Sequence, residues 1–349
     1  ISGVSAALII VSGAANIEKS GVRYTAERGE LVRGICEVTV PDTHDRGVVE
    51  RPSLLRFEIR EDQKEHIVLT SAKELTKDDF HRRLADTVAS SPNQDMLVFI
   101  HGYNVDFESA VRRTAQLSVD LPFEGVPVCY SWPSQARLLA YTVDENTCEW
   151  TQPHLKQYLL EIANESGATS INVIAHSMGN RPTTGALLEM GWELGLRDQP
   201  EQESKKVFDR VVLAAPDVDA GQFKRDLAPA LNKISNHVTL YASSDDQALI
   251  ASKQVHGYPR AGESGARLVV VPGIETVDVS GIDLSLLGHS YYGDSKSMLR
   301  DLYQVIGDRM PAHDRELLIP RPFGTLTYFK LKSTAASHQR ISSESTPIR

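Results

Sequence analysis

The sequence has few cysteines and no long apolar run. Cys36, Cys129 and Cys148 are the only cysteines in 349 residues, and they lie far apart with no CxxC pair. This pattern excludes a disulfide framework and offers no zinc-ligand spacing, so we interpret them as small buried hydrophobic residues. No stretch of about 18 consecutive apolar residues occurs, and a transmembrane helix is therefore not expected. Internal repeats are also absent.

Basic residues are too few and too scattered for a nucleic-acid-binding surface. The 46 acidic residues outnumber the 37 basic ones, the net charge is −9, and no run of Lys or Arg is longer than two residues. A protein that binds nucleic acid needs a basic stripe to follow the phosphates, so no nucleic-acid partner is expected. The remaining composition, 41% hydrophobic and 24% charged, is ordinary for a globular chain. Fibrous, collagen-like and wholly disordered classes are excluded.

The two ends of the chain differ from the rest. Residues 1–15 are apolar and small (ISGVSAALIIVSGAA), without a preceding basic region or an initiating Met. This segment is either part of an export signal or an ordinary first strand or helix, so the compartment, cytoplasmic or exported, stays open. The polar residues 333–349 lack periodicity and are predicted to be disordered.

Between the ends, strand patterns come first and an alternation of strands and helices follows. Residues 1–92 are predicted to form a small β-rich N-terminal extension with one helix at 76–88, packed on a catalytic domain at 93–332. Helical patterns in that domain cover 107–120, 150–166, 180–194 and 221–234. They alternate with apolar runs: MLVFI (96–100), VPVCYSW (126–132), INVIAH (171–176), RVVLAAP (210–216), HVTLYAS (237–243), then ARLVVVP and ETVDVSG. This alternation predicts an α/β fold with a mostly parallel central sheet flanked by helices.

Ser177 follows one of these strands in a motif that suits a nucleophile. The run INVIAH continues into Ser177-Met178-Gly179 and then into a helical pattern. A nucleophile elbow needs this strand, sharp turn and helix, with small residues near the strained serine, and Ala175 and Gly179 meet that need. A helix N-cap serine is the alternative interpretation. We expect Ser177 to be a catalytic nucleophile.

A glycine turn after another strand suggests an oxyanion hole. MLVFI is followed by His101-Gly102-Tyr103-Asn104. Glycine lets the next backbone N–H point at a carbonyl oxygen beside the serine, so the N–H groups of Tyr103 and Met178 are the candidate donors. A tight turn that requires glycine is the alternative. His101 precedes the nucleophile, and we interpret it as structural.

The order serine, acid, histidine that is usual in this arrangement places the other two groups downstream of Ser177. His289, in the loop Gly288-His289-Ser290, is the candidate base. For the acid, two strand ends offer carboxylates. We favour Asp246 after HVTLYAS, while Asp245, Asp217 and Asp219 stay open and otherwise cap helices or turns.

Several motifs together resemble a known family. HGYN, SWPS, AHSMGNR, LAAPDVDAGQF and YASSDDQAL occur in order between residues 101 and 249, and together with the weaker segment GICEVTVPDTHDRGVVERP the similarity spans roughly residues 30–310. In these segments the chain is similar to bacterial α/β-hydrolases of the family DUF900. The resemblance implies an α/β-hydrolase fold with Ser177 as nucleophile, Asp246 as acid and His289 as base, and it supports Tyr103 and Met178 as oxyanion donors. We interpret four other residues in the matching stretches, Arg113, Trp132, Asp144 and Arg181, as scaffold ion pairs and packing.

These features predict a serine carboxylic ester hydrolase, lipase-like or esterase-like, that acts through an acyl-enzyme. The chemistry needs no metal and no organic cofactor. A single helix between RVVLAAP and HVTLYAS leaves no large cap, so we expect an open cleft for short to medium acyl chains or for bulky and polymeric esters. Loops at 134–151 and 253–267 are candidates for a small lid. A thioesterase or acyltransferase with the same triad, and a non-catalytic binding protein on this fold, are the alternatives, and the oligomeric state stays open.

Overall fold

The main sheet of the protein contains eleven strands. The structure is a computed structural model, and it describes residues 3–12, 15–18, 21–52, 58, 60–195, 206–244, 252, 257–282 and 295–333. A separate hairpin is made by β2 (Ala15–Glu18) and β3 (Gly21–Tyr24). The strands of the main sheet are β1 (Gly3–Ser12), β4 (Leu31–Val40), β5 (Val68–Leu75), β6 (Asp95–Ile100), β7 (Val126–Ser131), β8 (Ser170–His176), β9 (Phe208–Ala214), β10 (Ser235–Ala242), β11 (Ile274–Asp278), β12 (Leu318–Phe323) and β13 (Leu326–Leu331).

The sheet is mostly parallel. Its order is β12-β13-β11-β10-β9-β8-β6-β7-β1-β4-β5. Every pair from β13 to β1 is parallel, while β4 and β5 at one edge and β12 at the other are antiparallel to their neighbours. The carboxyl ends of all the parallel strands therefore share one edge, which is where α/β sheets place their ligands.

Helices cover both faces of this sheet. They are α1 (Lys77–Ser90), α2 (Phe107–Asp120), α3 (Tyr141–Glu165), α4 (Asn180–Glu193), α5 (Ala220–Gln222), α6 (Ala228–Ile234) and α7 (Ser295–Ile306), with a π-helical turn at Phe223–Leu227 between α5 and α6. The strand side chains alternate between the two layers: Val98 and Ile100 pack with α1, α3, α4 and α6, whereas Leu97 and Phe99 pack with α2 and α7. This period of two is what a strand buried on both faces requires. The predicted α/β architecture is thus confirmed.

The N-terminal part of the chain extends the same sheet. Residues Gly3–Ser12 form β1, which lies between β7 and β4, and β5 pairs with β4. The helix predicted at 76–88 is α1, whose N-cap Thr76 accepts a hydrogen bond from the Asp79 N–H. Strands from both sides of the predicted boundary at residues 92 and 93 share one sheet, and the division into an extension and a catalytic domain stays a prediction.

Two local predictions were wrong. Helix α3 begins at Tyr141 and not at Trp150. The sequence did not indicate this start, because residues 141–149 are mostly polar and bury only Asp144, Thr147 and Cys148, which gives no apolar periodicity. Most of the loop predicted at 134–151 is therefore helical. The run ARLVVVP is not a strand, although Leu268, Val269 and Val270 are buried, because these residues fill the core without pairing with a strand.

The remaining predictions concern the connection from β9 to β10, the second candidate lid, the C-terminal tail and a membrane-spanning helix. The connection from β9 to β10 contains the single helical segment α5 to α6, as predicted from its length. Residues 253–256 of the second candidate lid and residues 334–349 of the predicted disordered tail lie outside the described residues. Within the described part of the chain, no helix is both long and apolar enough to cross a membrane.

Candidate active site

Ser177 lies in a sharp turn between β8 and α4. The backbone of Ser177 has φ of 49°, in the left-handed region that a residue with a side chain rarely adopts. Residues Ser177–Gly179 form one turn of 3₁₀ helix, and α4 continues from Asn180. Such a conformation costs on the order of 1–3 kcal/mol and persists only where the surroundings impose it. The predicted strand, turn and helix around Ser177 are all present.

Hydrogen bonds to its main chain hold this turn. The fully buried side chain of Asn180 donates through Nδ2 to the carbonyl oxygens of Ala175 (3.2 Å), Ser177 (3.0 Å) and Ala214 (3.2 Å). The N–H of Asp217 also donates to the Ser177 carbonyl at 3.3 Å. The turn is therefore tied to β8, to the end of β9 and to the loop that follows β9. These contacts supply the support that the strained backbone needs.

The turn after β6 packs directly against Ser177. A Cβ added to Gly102 would lie 2.9 Å from the His176 Nδ1 atom and 3.0 Å from the Ser177 Cβ atom. A Cβ on Gly179 would lie 2.3 Å from the carbonyl oxygen of His101. Both positions therefore need glycine for close approach of two backbones, and not for a positive φ. The HGYN and AHSMG motifs thus form one contiguous structure.

His101 is a structural residue in this arrangement. The Trp132 backbone N–H donates to the buried His101 ring at Nε2 (3.1 Å), and the ring Nδ1 atom lies 2.8 Å from the Gly102 carbonyl oxygen. The Trp132 indole N–H donates to the His101 carbonyl at 2.7 Å, and the two rings stack. His101 and Trp132 therefore fix the turn that contains Gly102.

Asp144 holds the same turn from the other side. Its buried carboxylate accepts hydrogen bonds from the Ser134 hydroxyl (2.6 Å) and the Gln135 N–H (2.8 Å), and also from the Asn104 backbone. Burial raises the pKa of Asp144, and these hydrogen bonds oppose the rise. The loop after β7 and the HGYN turn are thus joined through one carboxylate, in line with the scaffold role expected for Asp144.

The candidate oxyanion donors lie on segments that touch Ser177. Tyr103 follows Gly102, and its half-buried ring packs edge-on against Tyr141 with centroids 5.5 Å apart. Met178 is the second residue of the 3₁₀ turn, and N–H groups at the start of a helix have no partner within it. The role of both N–H groups as oxyanion donors stays a prediction.

Asp217 and Asp219 are already engaged in other contacts. The Asp217 carboxylate accepts hydrogen bonds from the Tyr141 and Ser252 hydroxyls and forms ion pairs with Arg260 (3.2 Å) and Arg181 (3.5 Å). Asp219 caps α5 by accepting from the Gln222 N–H at 2.8 Å. Four partners occupy the two oxygens of Asp217, which leaves little capacity for a catalytic imidazole. These contacts favour the acids that follow β10.

The preferred acid and base lie outside the described residues. Asp246, the alternative Asp245 and His289 belong to residues 245–250 and 283–294. The described ends of their strands are adjacent, because the Val279 N–H donates to the Ala242 carbonyl at 2.8 Å. Both loops therefore start from the same sheet edge as Ser177. The assignment of Asp246 and His289 stays a prediction.

The sequence did not indicate the polar network around Asp217. Tyr141, Ser252 and Arg260 come from α3 and from a long loop, and no motif marks them. Arg181, expected to be a scaffold ion pair, joins Asp217 to Glu145 on α3. Tyr141 shows the effect of this setting, since burial and the nearby Asp217 carboxylate raise the pKa of its phenol above the usual range.

Comparisons with known proteins give one family and several distant structures. The family described as "alpha/beta hydrolase of unknown function (DUF900)" matches residues 76–309, more than half of the chain. No curated protein matches the sequence. Among solved structures, a fungal esterase from Rhizomucor miehei shares 10% identity, with 88% of this chain and 83% of that chain covered and a TM-score of 0.39.

Two further structures are similar at the same distant level. Esterase B from Lactobacillus rhamnosis, solved with a tributyrin phosphonate inhibitor, shares 13% identity over 64% of this chain and 79% of that chain, with a TM-score of 0.33. Phospholipase PlaB from Legionella pneumophila shares 12% identity over 68% of each chain, with a TM-score of 0.30.

Proposed function

Since the chain belongs to the α/β-hydrolase family DUF900, we propose that it is a serine carboxylic ester hydrolase that acts through an acyl-enzyme. The observation that carries this proposal is Ser177 itself, held at φ of 49° between a strand and a helix with the Gly102 turn against its Cβ. A turn of this kind exposes a nucleophile next to backbone N–H donors. A helix N-cap serine needs neither the strain nor the glycine turn.

In the proposed reaction, His289 takes the proton of the Ser177 hydroxyl while the oxygen attacks the ester carbonyl. The N–H groups of Tyr103 and Met178 stabilise the oxyanion, and His289 returns the proton to the departing alcohol. Water then repeats these steps on the acyl-enzyme and releases the acid. Asp246 orients the imidazole and stabilises its positive charge.

The first test is covalent labelling with a fluorophosphonate. The protein is expected to gain one adduct on Ser177, which the Ser177→Ala variant lacks. Ser170→Ala is the matched control, because Ser170 is a buried serine at the opposite end of β8, and this variant should label like the parent. A folded protein that does not label would instead be a non-catalytic binding protein on a hydrolase fold.

The second test measures hydrolysis of p-nitrophenyl acetate. Removal of the nucleophile or the base in such a triad lowers kcat by about 10⁶, and loss of the acid by about 10⁴. Ser177→Ala and His289→Gln should therefore abolish measurable turnover, and Asp246→Asn should lower it more than Asp217→Asn does. The reverse order of the two Asn variants would reassign the acid to Asp217. Labelling without ester turnover, combined with turnover of acyl thioesters, would identify a thioesterase.

A further inference from the structure

The first two turns of α3 present three side chains on one face of the helix. Tyr141, Asp144 and Cys148 follow one another at intervals of three and four residues, the spacing that places side chains one above the other on a helix. Asp144 and Cys148 are buried, and Tyr141 is half-buried. We call these three residues the α3 row. Each of them contacts a segment of the candidate active site.

Two members of the α3 row contact the HGYN turn. The ring of Tyr141 packs edge-on against the ring of Tyr103, with centroids 5.5 Å apart. The Asp144 carboxylate accepts a hydrogen bond from the backbone of Asn104, the next residue. The same carboxylate accepts hydrogen bonds from the loop after β7, so it joins two loops. The α3 row therefore holds the segment that carries the Tyr103 N–H group, the first candidate oxyanion donor.

The same helix face contacts the Ser177 turn. The Cys148 thiol donates to the carbonyl oxygen of Met178 at 3.7 Å, and the Met178 N–H is the second candidate oxyanion donor. The Tyr141 hydroxyl donates to the Asp217 carboxylate, and the Asp217 N–H donates to the Ser177 carbonyl oxygen at 3.3 Å. One face of α3 thus contacts the segments of both candidate donors, which follow different strands of the sheet.

Helix α4, which continues from the Ser177 turn, is also joined to the start of α3. Arg181, in the first turn of α4, donates to the Tyr141 hydroxyl at 3.0 Å. Its guanidinium also pairs with the Glu145 carboxylate on α3 at 2.5 Å. A displacement of the first turns of α3 would therefore move the Ser177 turn and the HGYN turn relative to each other.

Stability alone does not account for the buried carboxylate in the α3 row. Asp144 is fully buried, its hydrogen-bond partners are neutral groups, and burial raises its pKa. A buried charge without an opposite charge costs free energy, whereas an apolar side chain would fill the same space without that cost. A carboxylate instead supplies directional hydrogen bonds, which fix the positions of their donors more closely than apolar contacts do.

An oxyanion hole requires two N–H groups at about 2.7–3.1 Å from one oxygen atom. A misplacement of about 1 Å can lower the rate of an enzyme about 100-fold. From the contacts of the α3 row we infer that Tyr141 and Asp144 are positioning residues of the esterase. They set the distance between the two candidate oxyanion donors. The inference rests on the proposed function and extends it from the Ser177 turn to helix α3.

Two nearly isosteric variants test this inference. Asp144→Asn leaves one acceptor oxygen for three donors, so the HGYN turn loses part of its support. Tyr141→Phe keeps the ring against Tyr103 but removes the hydroxyl that is bonded to Asp217. In each folded variant, kcat for p-nitrophenyl acetate should fall about 10-fold or more, while KM stays within about twofold of the parent, because the oxyanion forms only in the transition state.

A transition-state analogue gives a readout that a purely structural role would not change. When the Ser177 oxygen adds to the carbonyl carbon of 1,1,1-trifluorobutan-2-one, the ketone oxygen becomes an oxyanion. The Ki of this ketone should therefore rise by the factor by which kcat falls. If Tyr141 and Asp144 only stabilised the fold, their variants would have a lower Tm, with the kcat and Ki of the parent in the folded protein.

Tyr130→Phe is the matched control. It removes a buried hydroxyl that is hydrogen-bonded to Thr151 of the same helix at 2.8 Å, about 15 Å along α3 from Tyr141. Tm should fall, and kcat and Ki should stay as in the parent. An equal loss of kcat in Tyr130→Phe would mean that any weakening of α3 is sufficient, and it would overturn the inference.

Parent-like kcat and Ki in the folded Asp144→Asn and Tyr141→Phe variants also overturn the inference, while Ser177-dependent hydrolysis of the acetate persists. Tyr141→Phe decides alone if Asp144→Asn does not fold, since it changes a side chain that is only half-buried. Absence of any Ser177-dependent ester hydrolysis in the parent overturns both the inference and the proposed function.

Discussion

Substitution of Gly102 by alanine tests the contact between the HGYN turn and Ser177, the proposed nucleophile. The added Cβ would lie 2.9 Å from His176 Nδ1, 3.0 Å from Ser177 Cβ and 3.1 Å from the His176 carbonyl oxygen. Favourable contacts between carbon atoms lie at about 3.5–4.0 Å, so the two segments must separate by about 0.5 Å. The carbonyl oxygen belongs to the backbone, and no side-chain rotation relieves the overlap.

That separation would move the N–H of Tyr103, the proposed oxyanion donor, away from the Ser177 turn. Loss of one oxyanion donor lowers kcat by about 10² to 10³, which equals about 2.7–4 kcal/mol, so Gly102→Ala should lose activity by about that factor. Overpacking costs about 1–3 kcal/mol of folding stability, so thermal unfolding must be measured on the same sample. The assay is kcat for p-nitrophenyl acetate on protein shown to be folded.

Gly191→Ala is the matched control, since an added Cβ there meets no atom within 4 Å. This glycine lies in α4, where alanine is favoured by about 0.5–1 kcal/mol, so stability should hold or rise and activity should stay at the parent level. The reasoning about the oxyanion hole fails if folded Gly102→Ala protein retains kcat within threefold of the parent.

Three further predictions concern groups that hold the fold and the turn. Asn180→Ala removes the donor to three carbonyl oxygens, so unfolding in urea should show a loss of about 1–3 kcal/mol, together with lower kcat. Burial acts to raise the pKa of Glu161, but hydrogen bonds from Lys77, Arg33 and Gln157 lower it from 4.5 to about 2. The contribution of Glu161 to folding stability is therefore present above pH 4.5 and is lost as the pH falls toward 2. Glu161→Gln should reduce the change of Tm between these pH values. Burial acts to lower the pKa of His44, but hydrogen bonds to Asp120 and Glu50 raise it from 6.5 to about 9. The contribution of His44 to folding stability is therefore complete below pH 6.5 and is lost as the pH rises through 9. His44→Gln should remove this decline of Tm with pH.

Sequence patterns predict the helices and strands of this protein where buried apolar residues recur at regular spacing. Strands β6 to β10 were predicted because apolar residues fill both faces, and α2 was predicted because a helical pattern at 107–120 lies between two of these runs. The start of α3 was missed because its first residues bury a carboxylate, a hydroxyl and a thiol in place of apolar side chains. Periodicity detects apolar burial and gives no signal for polar burial.

The same limit applies to the candidate site. The HGYN and AHSMG motifs mark residues whose backbone geometry demands small side chains, so Gly102, Ser177 and Gly179 were found from local sequence. Asp217 lies in the motif LAAPDVDAGQF, but it meets Arg260 only through the tertiary fold, and neither segment signals this pairing. Charge pairing between distant loops has no local signature in the sequence, so this ion pair was not predictable.

The network around Asp217 has a consequence for the strained turn. The Ser177 backbone costs on the order of 1–3 kcal/mol, and the Asp217 N–H is one of the groups that hold its carbonyl. The position of that N–H depends on the Asp217 side chain, which is fixed by Tyr141 from α3 and Arg260 from a distant loop. The turn of the candidate nucleophile therefore depends on one buried carboxylate and its partners, so substitutions that disturb Asp217 should lower kcat.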